Sequence, residues 1–298
     1  MPDYINFDTI LVHNSPRRCG GIKIGKDADL GENGRKVTIC IVNYKTPQFT
    51  RLCLRSIRKF TIFPYETLVI DNNSADESLD YLRKLRWIKL IERDTSSDLG
   101  GGYSHAAALD LGLANCETEF FVSLHTDTFI QRNGWLRDLI AYFNDEQVAS
   151  VGSGKLELMP VWELRLKKMT DLRGFWRNIR GQTKNLNKYS YYNRTECALY
   201  RTSVLKKEGL GFQMGRDEGL GAGKKLYFEL LQRGYKTVEL PADVMRRYVV
   251  HLAHATQTVN AGEFSLRQRT IAKTNRRIEK LMQSPQVQEI LQDDSLDQ

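Results

Sequence analysis

The apolar run Phe120, Phe121, Val122 and Leu124 breaks off into His125, Thr126 and Asp127, and this is the first stretch whose side chains could do chemistry. A short run rich in β-branched and aromatic residues reads as a strand buried on both faces. In an open α/β sheet, ligands bind beyond the carboxyl ends of the strands, so an imidazole and a carboxylate placed there face a cleft. Asp127 offers a hard oxygen to a divalent cation, and neutral imidazole is a common ligand. The competing reading is an Asp that only caps the turn after a strand. Late in the chain, His251 and His254 stand in H-x-x-H spacing, which brings two imidazoles within one short turn. One is expected on a metal and the other on a diphosphate or the backbone. Arg246 and Arg247 just upstream add charge against a diphosphate, or are surface strand residues.

Two more strand ends carry polar groups. Residues 37–44, VTICIVNY, read as a buried strand ending in Asn43 and Tyr44, followed by a helix with Leu52, Ile57 and Phe60 at helical spacing. Glu66 to Asp71 reads as a second strand ending in Asp71, Asn72 and Asn73. Ser74 with Glu77 three residues on has the spacing of a capping box, and Leu79, Leu82 and Leu85 form the stripe of the helix it opens. An aromatic beside amides and a carboxylate can stack on a base and read its edge. These are the ingredients of a nucleotide-diphosphate site without a P-loop: no G-x-x-x-x-G-K-[ST] is present, and Gly100 to Gly102 lack dinucleotide spacing.

The elements that must position these groups alternate. After the second helix come a strand at Trp87 to Glu92, a glycine turn at Leu99 to Tyr103, and an alanine-rich helix from Ser104 to Asn115 suited to close packing on a sheet. Beyond the His-Thr-Asp strand lie a helix around Trp135 to Phe143 and a strand at Val148 to Gly152. Lys224 to Arg233 reads as a helix, Lys236 to Leu240 and Arg247 to Val250 as strands, and Phe264 to Met282 as a polar amphipathic helix. After Pro285 the chain turns acidic and is expected to fray. Strands and helices alternating at short intervals predict an α/β sandwich with a mostly parallel central sheet.

The 298 residues suffice for one large domain or two small ones, with 41% hydrophobic and 27% charged residues, ordinary globular values. Cys19, Cys40, Cys53, Cys116 and Cys197 are scattered without a C-x-x-C pair and read as reduced thiols. No apolar run approaches a membrane span and the N-terminus lacks signal-peptide features, so a cytoplasmic chain is expected. The net charge of +8 is concentrated between Val161 and Lys207, where twelve Lys or Arg stand against three Asp or Glu. Trp162, Trp176, Tyr189, Tyr191 and Tyr192 lace that segment, which suits phosphate-rich partners: an anionic membrane surface at the inner face, a lipid diphosphate or nucleic acid. A solvated charged face is the bland alternative. No nucleic-acid motif accompanies the charge, so nucleic acid is not an expected partner.

Taken in order, VTICIVNYKTP, the CLRSI helix, VIDNNSADES, GGYSHAAALDLGL, LHTDTF, LYRTSVL, GLGF, LLQRGYKTVELP and VVHLAHAT resemble the family-2 glycosyltransferases of the GT-A fold over about residues 36–256. The resemblance implies a GT-A domain there, a 1–35 extension before it, an acceptor or membrane segment at 161–207, and an amphipathic helix with an acidic tail at 257–298. It implies an inverting transferase that moves a sugar from a UDP-, GDP- or dTDP-linked donor to a glycan or lipid-linked glycan acceptor, with Mn²⁺ or Mg²⁺. Tyr44 and Asp71, beside Asn43 and Asn72, inherit the base contacts. His125-Thr126-Asp127 stands for the family's D-x-D, so Asp127 inherits the metal and His125 replaces the first Asp. His251 best matches the family's late metal histidine, with His254 close behind.

One departure matters. Counting back from Gly234 and Tyr235, the acidic pair that should open the preceding helix falls on Ala222 and Gly223, which cannot take a proton. Asp217 and Glu218 are the nearest acids, and a carboxylate at the helix start suits deprotonation of an acceptor hydroxyl. Both could instead cap the helix or pair with Arg216. The missing pair also keeps open a catalytically inactive GT-A-like module that binds sugar nucleotide or glycan.

Overall fold

The structure is a computed structural model that describes residues 36–156 and 192–298, apart from Ser97 and Leu99. The readings placed on residues 1–35, on Cys19 and on most of the basic segment, with Trp162, Trp176, Tyr189 and Tyr191, lie outside the described residues.

The expected α/β sandwich is present. β1 (Val37–Asn43), α1 (Pro47–Phe60), β2 (Tyr65–Asp71), α2 (Glu77–Leu82), β3 (Ile88–Glu92), α3 (Gly101–Ala114) and β4 (Phe120–His125) follow one another. The short strand β5 (Thr128–Ile130), α4 (Trp135–Ile140), β6 (Val148–Ser153), β7 (Cys197–Arg201), α5 (Thr202–Lys207), α6 (Lys224–Gln232) and β8 (Lys236–Leu240) come next. The chain closes with α7 (Ala242–Met245), β9 (Val249–His251), α8 (Ala255–Val259), α9 (Gln268–Met282) and α10 (Pro285–Gln292). A seven-stranded sheet has the order β3-β2-β1-β4-β7-β6-β8, and β5 pairs with β9 in a second, two-stranded sheet. β7 runs antiparallel to both neighbours, while the other pairs of the large sheet are parallel.

The two-residue period of a strand divides the core. Ile39, Ile41, Phe120, Val122 and Leu124 face the layer of α1, with Leu54 and Ile57. Cys40, Val42, Phe121, Ala198 and Tyr200 face α3 and α6, with Ala106, Leu109, Leu226 and Leu230. α3 lies close against the sheet because it carries Gly112, where an added Cβ would stand 2.4 Å from Cys40 Sγ. Cys40, Cys53, Cys116 and Cys197 are buried and free.

Three local expectations need correction. Ser74 does not cap α2; the N-cap is Asp76, whose carboxylate accepts from Ser78 N, and Ser74 turns inward to Asp71. α3 begins at Gly101 rather than Ser104, since the glycines of the turn already take helical conformation. The tail after Pro285 does not fray. Val287 and Ile290 of α10 are buried beside Phe49 and Leu52 of α1, and Arg55 of α1, 2% exposed, binds Asp297 through Nε (2.9 Å) and Nη2 (2.5 Å). A buried guanidinium clamps the acidic end, which composition alone does not reveal.

Candidate active site

Parallel register carries the three polar strand ends to one edge. Asn43 lies opposite Asp71, and Val42 opposite His125. At the β1–β2 end the polar atoms are fully engaged. Asn43 Nδ2 donates to Asp71 Oδ1 (2.6 Å), Ser78 Oγ (2.8 Å) and Ser74 Oγ (3.0 Å), and Asn43 Oδ1 accepts from Thr50 Oγ1 (2.6 Å). Asp71 also accepts from Ser74 N (2.9 Å) and Ser74 Oγ (2.6 Å). Both side chains are completely buried, and Asn72 is held by Arg93 Nη1 at 3.0 Å. Tyr44 is half-buried at the rim, where its hydroxyl donates to Glu263 and its ring meets Phe264 edge-on at 6.4 Å.

The β4 end differs. The β5–β9 ladder sets Thr128 opposite His251, and Leu252 N bonds Asp127 O at 2.9 Å, so a histidine distant in sequence reaches Asp127. His251 Nδ1 stands 3.3 Å and His125 Nδ1 3.8 Å from Asp127 Oδ1. Ligand atoms of His125, Asp127 and His251 all lie within 4.8 Å of one another, a group able to hold a metal ion. Asp127 Oδ1 is buried and has no hydrogen-bond partner; the approach of His251 is an ion-pair contact rather than a hydrogen bond. A buried, unsatisfied carboxylate oxygen is costly, and a cation on it would remove that cost. The residues present therefore fit a divalent metal.

Two further groups complete the cluster. His105 of α3 packs T-shaped on His125, ring centroids 4.5 Å apart, and its Nε2 is buried without a partner. Glu196, just before β7, faces the far side of His251, Oε1 to Nε2 at 3.6 Å. Burial pulls the His105 pKa down to about 4. Burial, then the neighbouring His105 and His251, pull His125 well below its ordinary value, against the charge of Asp127. At His251 burial is opposed by the charges of Asp127 and Glu196, which together raise it. At Asp127 burial works against ionisation, and the neighbouring His251 overcomes it and holds the pKa below the ordinary carboxylate value.

The family model described as Glycosyl transferase family 2 matches residues 38–209, which include β2, β4, the His-Thr-Asp turn and all of β1 but its first residue. The chain belongs to glycosyl transferase family 2. This family-2 chain is also similar to the O-antigen chain rhamnosyltransferase RfbN of Salmonella typhimurium, 25% identical over 117 residues, 39% of this chain and 36% of that protein. The match thus spans little more than a third of that relative. Among solved structures it is similar to the mannosyltransferase PcManGT of Pyrobaculum calidifontis in complex with GDP-Man and Mn²⁺. There the TM-score is 0.48 and the identity 16%, over 85% of this chain and 73% of that one. Similarity extends to TarS 1-349 of S. aureus in complex with UDP-GlcNAc, with TM-score 0.48 and 17% identity over 86% and 70% of the two chains.

Not every expected site residue joins the cluster. His254 is exposed, in left-handed conformation, with Nδ1 at 3.0 Å from Gln257 Oε1. Asp217 and Glu218 sit on an exposed loop, where Glu218 Oε1 pairs with Lys225 Nζ at 2.6 Å. That loop is tied to α3, since Asp110 accepts from Gln213 N at 3.0 Å and Tyr103 donates its hydroxyl to Arg216 O at 3.3 Å. Gly223, at the family's acid position, stays close to the cluster: an added Cβ would lie 3.2 Å from Thr195 Cγ2, and Thr195 Oγ1 is 3.2 Å from His125 Nε2. Sequence reasoning missed His105 and Glu196. The signals were a histidine one turn into a helix that follows a glycine turn, and an acid directly before the strand-like run CALY.

Proposed function

We propose that this family-2 chain is an inverting, metal-dependent glycosyltransferase that moves a sugar from a nucleoside-diphosphate sugar to a hydroxyl of a glycan or lipid-linked acceptor. The observation that carries the reading is the unsatisfied Oδ1 of Asp127 between His125 and His251 at the exit of a central strand. These three residues would hold the metal, Mn²⁺ or Mg²⁺, which when bound neutralises charge on the leaving diphosphate. Tyr44 offers its ring to the base, while Asn43, Asp71 and Asn72 fix the strand ends beside it. Asp217 or Glu218 takes the proton from the acceptor hydroxyl as its oxygen attacks the anomeric carbon from the side opposite the diphosphate. The C–O bond to the diphosphate breaks in the same displacement, and the diphosphate leaves with the bonding pair. Surface polysaccharide synthesis is the proposed setting, in keeping with the O-antigen chain named for the Salmonella relative. An acceptor-side or membrane role for residues 161–207 belongs to the same proposal. Among the described residues no helix is long and apolar enough to cross a membrane.

A second reading, binding without chemistry, is favoured by Ala222 and Gly223 at the helix start and by the pairing of Glu218 with Lys225. A panel of nucleotide sugars with Mn²⁺, scored for released nucleoside diphosphate, separates them. The transferase releases it from at least one donor; a binder that protects the donor from hydrolysis releases none, and that outcome removes the proposed reaction.

A further inference from the structure

His251 has a carboxylate on each side. Its Nδ1 faces Asp127 Oδ1 at 3.3 Å and Thr128 Oγ1 at 3.0 Å, and its Nε2 faces Glu196 Oε1 at 3.6 Å. Glu196 is not a loose surface acid. It is 12% exposed, its Oε2 accepts from Leu156 N at 3.2 Å, and its carbonyl accepts from His125 N at 3.3 Å, which continues the β4–β7 ladder. A carboxylate behind a metal-binding imidazole takes the ring N–H, fixes the tautomer and turns the other nitrogen's lone pair toward the ion. A proton on Nε2, the nitrogen that faces Glu196 at 3.6 Å, would leave the Nδ1 lone pair pointing to the same space as the orphaned oxygen of Asp127. Thr128 Oγ1 can donate to Nδ1 in this tautomer and so holds it ready.

The second asymmetry is His125. Its ring is pinned by His105 at 4.5 Å and lies 5.8 Å from the His251 ring, centroid to centroid. The group is thus two imidazoles and one carboxylate. Mg²⁺ prefers hard oxygen ligands and sheds water reluctantly, whereas imidazole suits first-row transition dications.

We propose that His125 and Glu196 together make this a nitrogen-rich site that takes a transition-metal dication of the Mn²⁺ class and rejects Mg²⁺, Glu196 being the positioning residue that aims His251. The inference rests on the metal role of Asp127 in the proposed function and adds which metal the site accepts and why.

The full-length chain is titrated with MnCl₂ and MgCl₂ alone, by calorimetry and by the loss of the free Mn²⁺ electron paramagnetic resonance signal. Mn²⁺ binds more than about tenfold tighter than Mg²⁺. His125→Asp, which restores a carboxylate, narrows that ratio. Glu196→Gln weakens Mn²⁺ by about 10–100-fold with the metal-free melting temperature held, and Glu196→Asp recovers part of the loss. Equal binding of Mg²⁺ by the unmodified chain, or an unchanged ratio in a folded His125→Asp variant, overturns the selectivity. Unchanged Mn²⁺ affinity in Glu196→Gln overturns the positioning role. If His125→Asp does not fold, the Mn²⁺ to Mg²⁺ ratio of the unmodified chain decides alone. Mn²⁺ preference without turnover of any sugar nucleotide removes the proposed function and leaves this inference standing; turnover that runs as well on Mg²⁺ does the reverse.

Discussion

Two polar clusters sit side by side on one edge of the sheet, and they differ in how they are satisfied. At the end of β1 and β2, both oxygens of Asp71 and both polar atoms of Asn43 have hydrogen-bond partners inside the protein. At the end of β4, Asp127 Oδ1 and His105 Nε2 have none. A closed network of buried polar groups rigidifies the chain that carries it. An open one keeps atoms in reserve for something from outside, at a cost to stability. The first cluster has the character of scaffold, and the second is the proposed site.

The largest effect that could break this contrast is Asp127→Ala. Loss of the carboxylate should lower donor turnover by at least about 10³-fold, since metal stabilisation of developing charge contributes several kcal/mol. Its metal-free stability should change little, because the relieved burial of the carboxylate and the lost ion pair with His251 oppose each other. Steady-state kinetics and a denaturant melt on the same sample check both halves, and a strongly destabilised variant would mean that Asp127 belongs to the scaffold. Asn43→Ala should behave oppositely. It strands Asp71 and Thr50 and should cost about 2–3 kcal/mol of stability by urea unfolding, with retained affinity for metal alone.

A third prediction concerns the C-terminal clamp. Burial disfavours the charge on Asp297, but hydrogen bonds from Arg55 and Tyr81 overcome it and hold its pKa below the ordinary carboxylate value. A depressed folded value means that the contribution is complete above the unfolded value, about 3.9, and vanishes as pH falls through the folded one. Amide exchange should therefore show α10 protected at pH 5 and released in acid below the usual Asp range. Asp297→Asn should release it already at pH 5. The smallest effect is expected at the exposed Glu218–Lys225 pair, 48% and 25% exposed. Lys225→Ala should change stability by less than about 1 kcal/mol, and a larger loss in thermal unfolding would place that loop among the scaffold.

Much of this was legible in the sequence, for physical reasons. The strands of the parallel half are near-continuous apolar runs, so their ends, and with them Asn43, Asp71 and Asp127, could be placed before any coordinates. His251 was found through the family resemblance, but its contact with Asp127 depends on the β5–β9 ladder, whose three-residue strands carry no period to read. The pairing of Glu196 with His251 depends on β7 lying antiparallel beside β4, a relation set by tertiary packing. The acidic tail misled because charge and proline argue for fraying, whereas a buried Arg55 on a distant helix supplies the partner. Ser74 misled because its hydroxyl had a better acceptor in Asp71 than the start of α2 could offer.

The most direct test of the central claim is calorimetric titration of the metal-free chain with UDP, GDP and dTDP, with and without Mn²⁺, in parallel with Asp127→Asn. The account predicts that one diphosphate binds the unmodified chain only when Mn²⁺ is present, and that Asp127→Asn abolishes this binding while the chain stays folded. Equal binding with and without Mn²⁺, or undiminished Mn²⁺-dependent binding by Asp127→Asn, would contradict it.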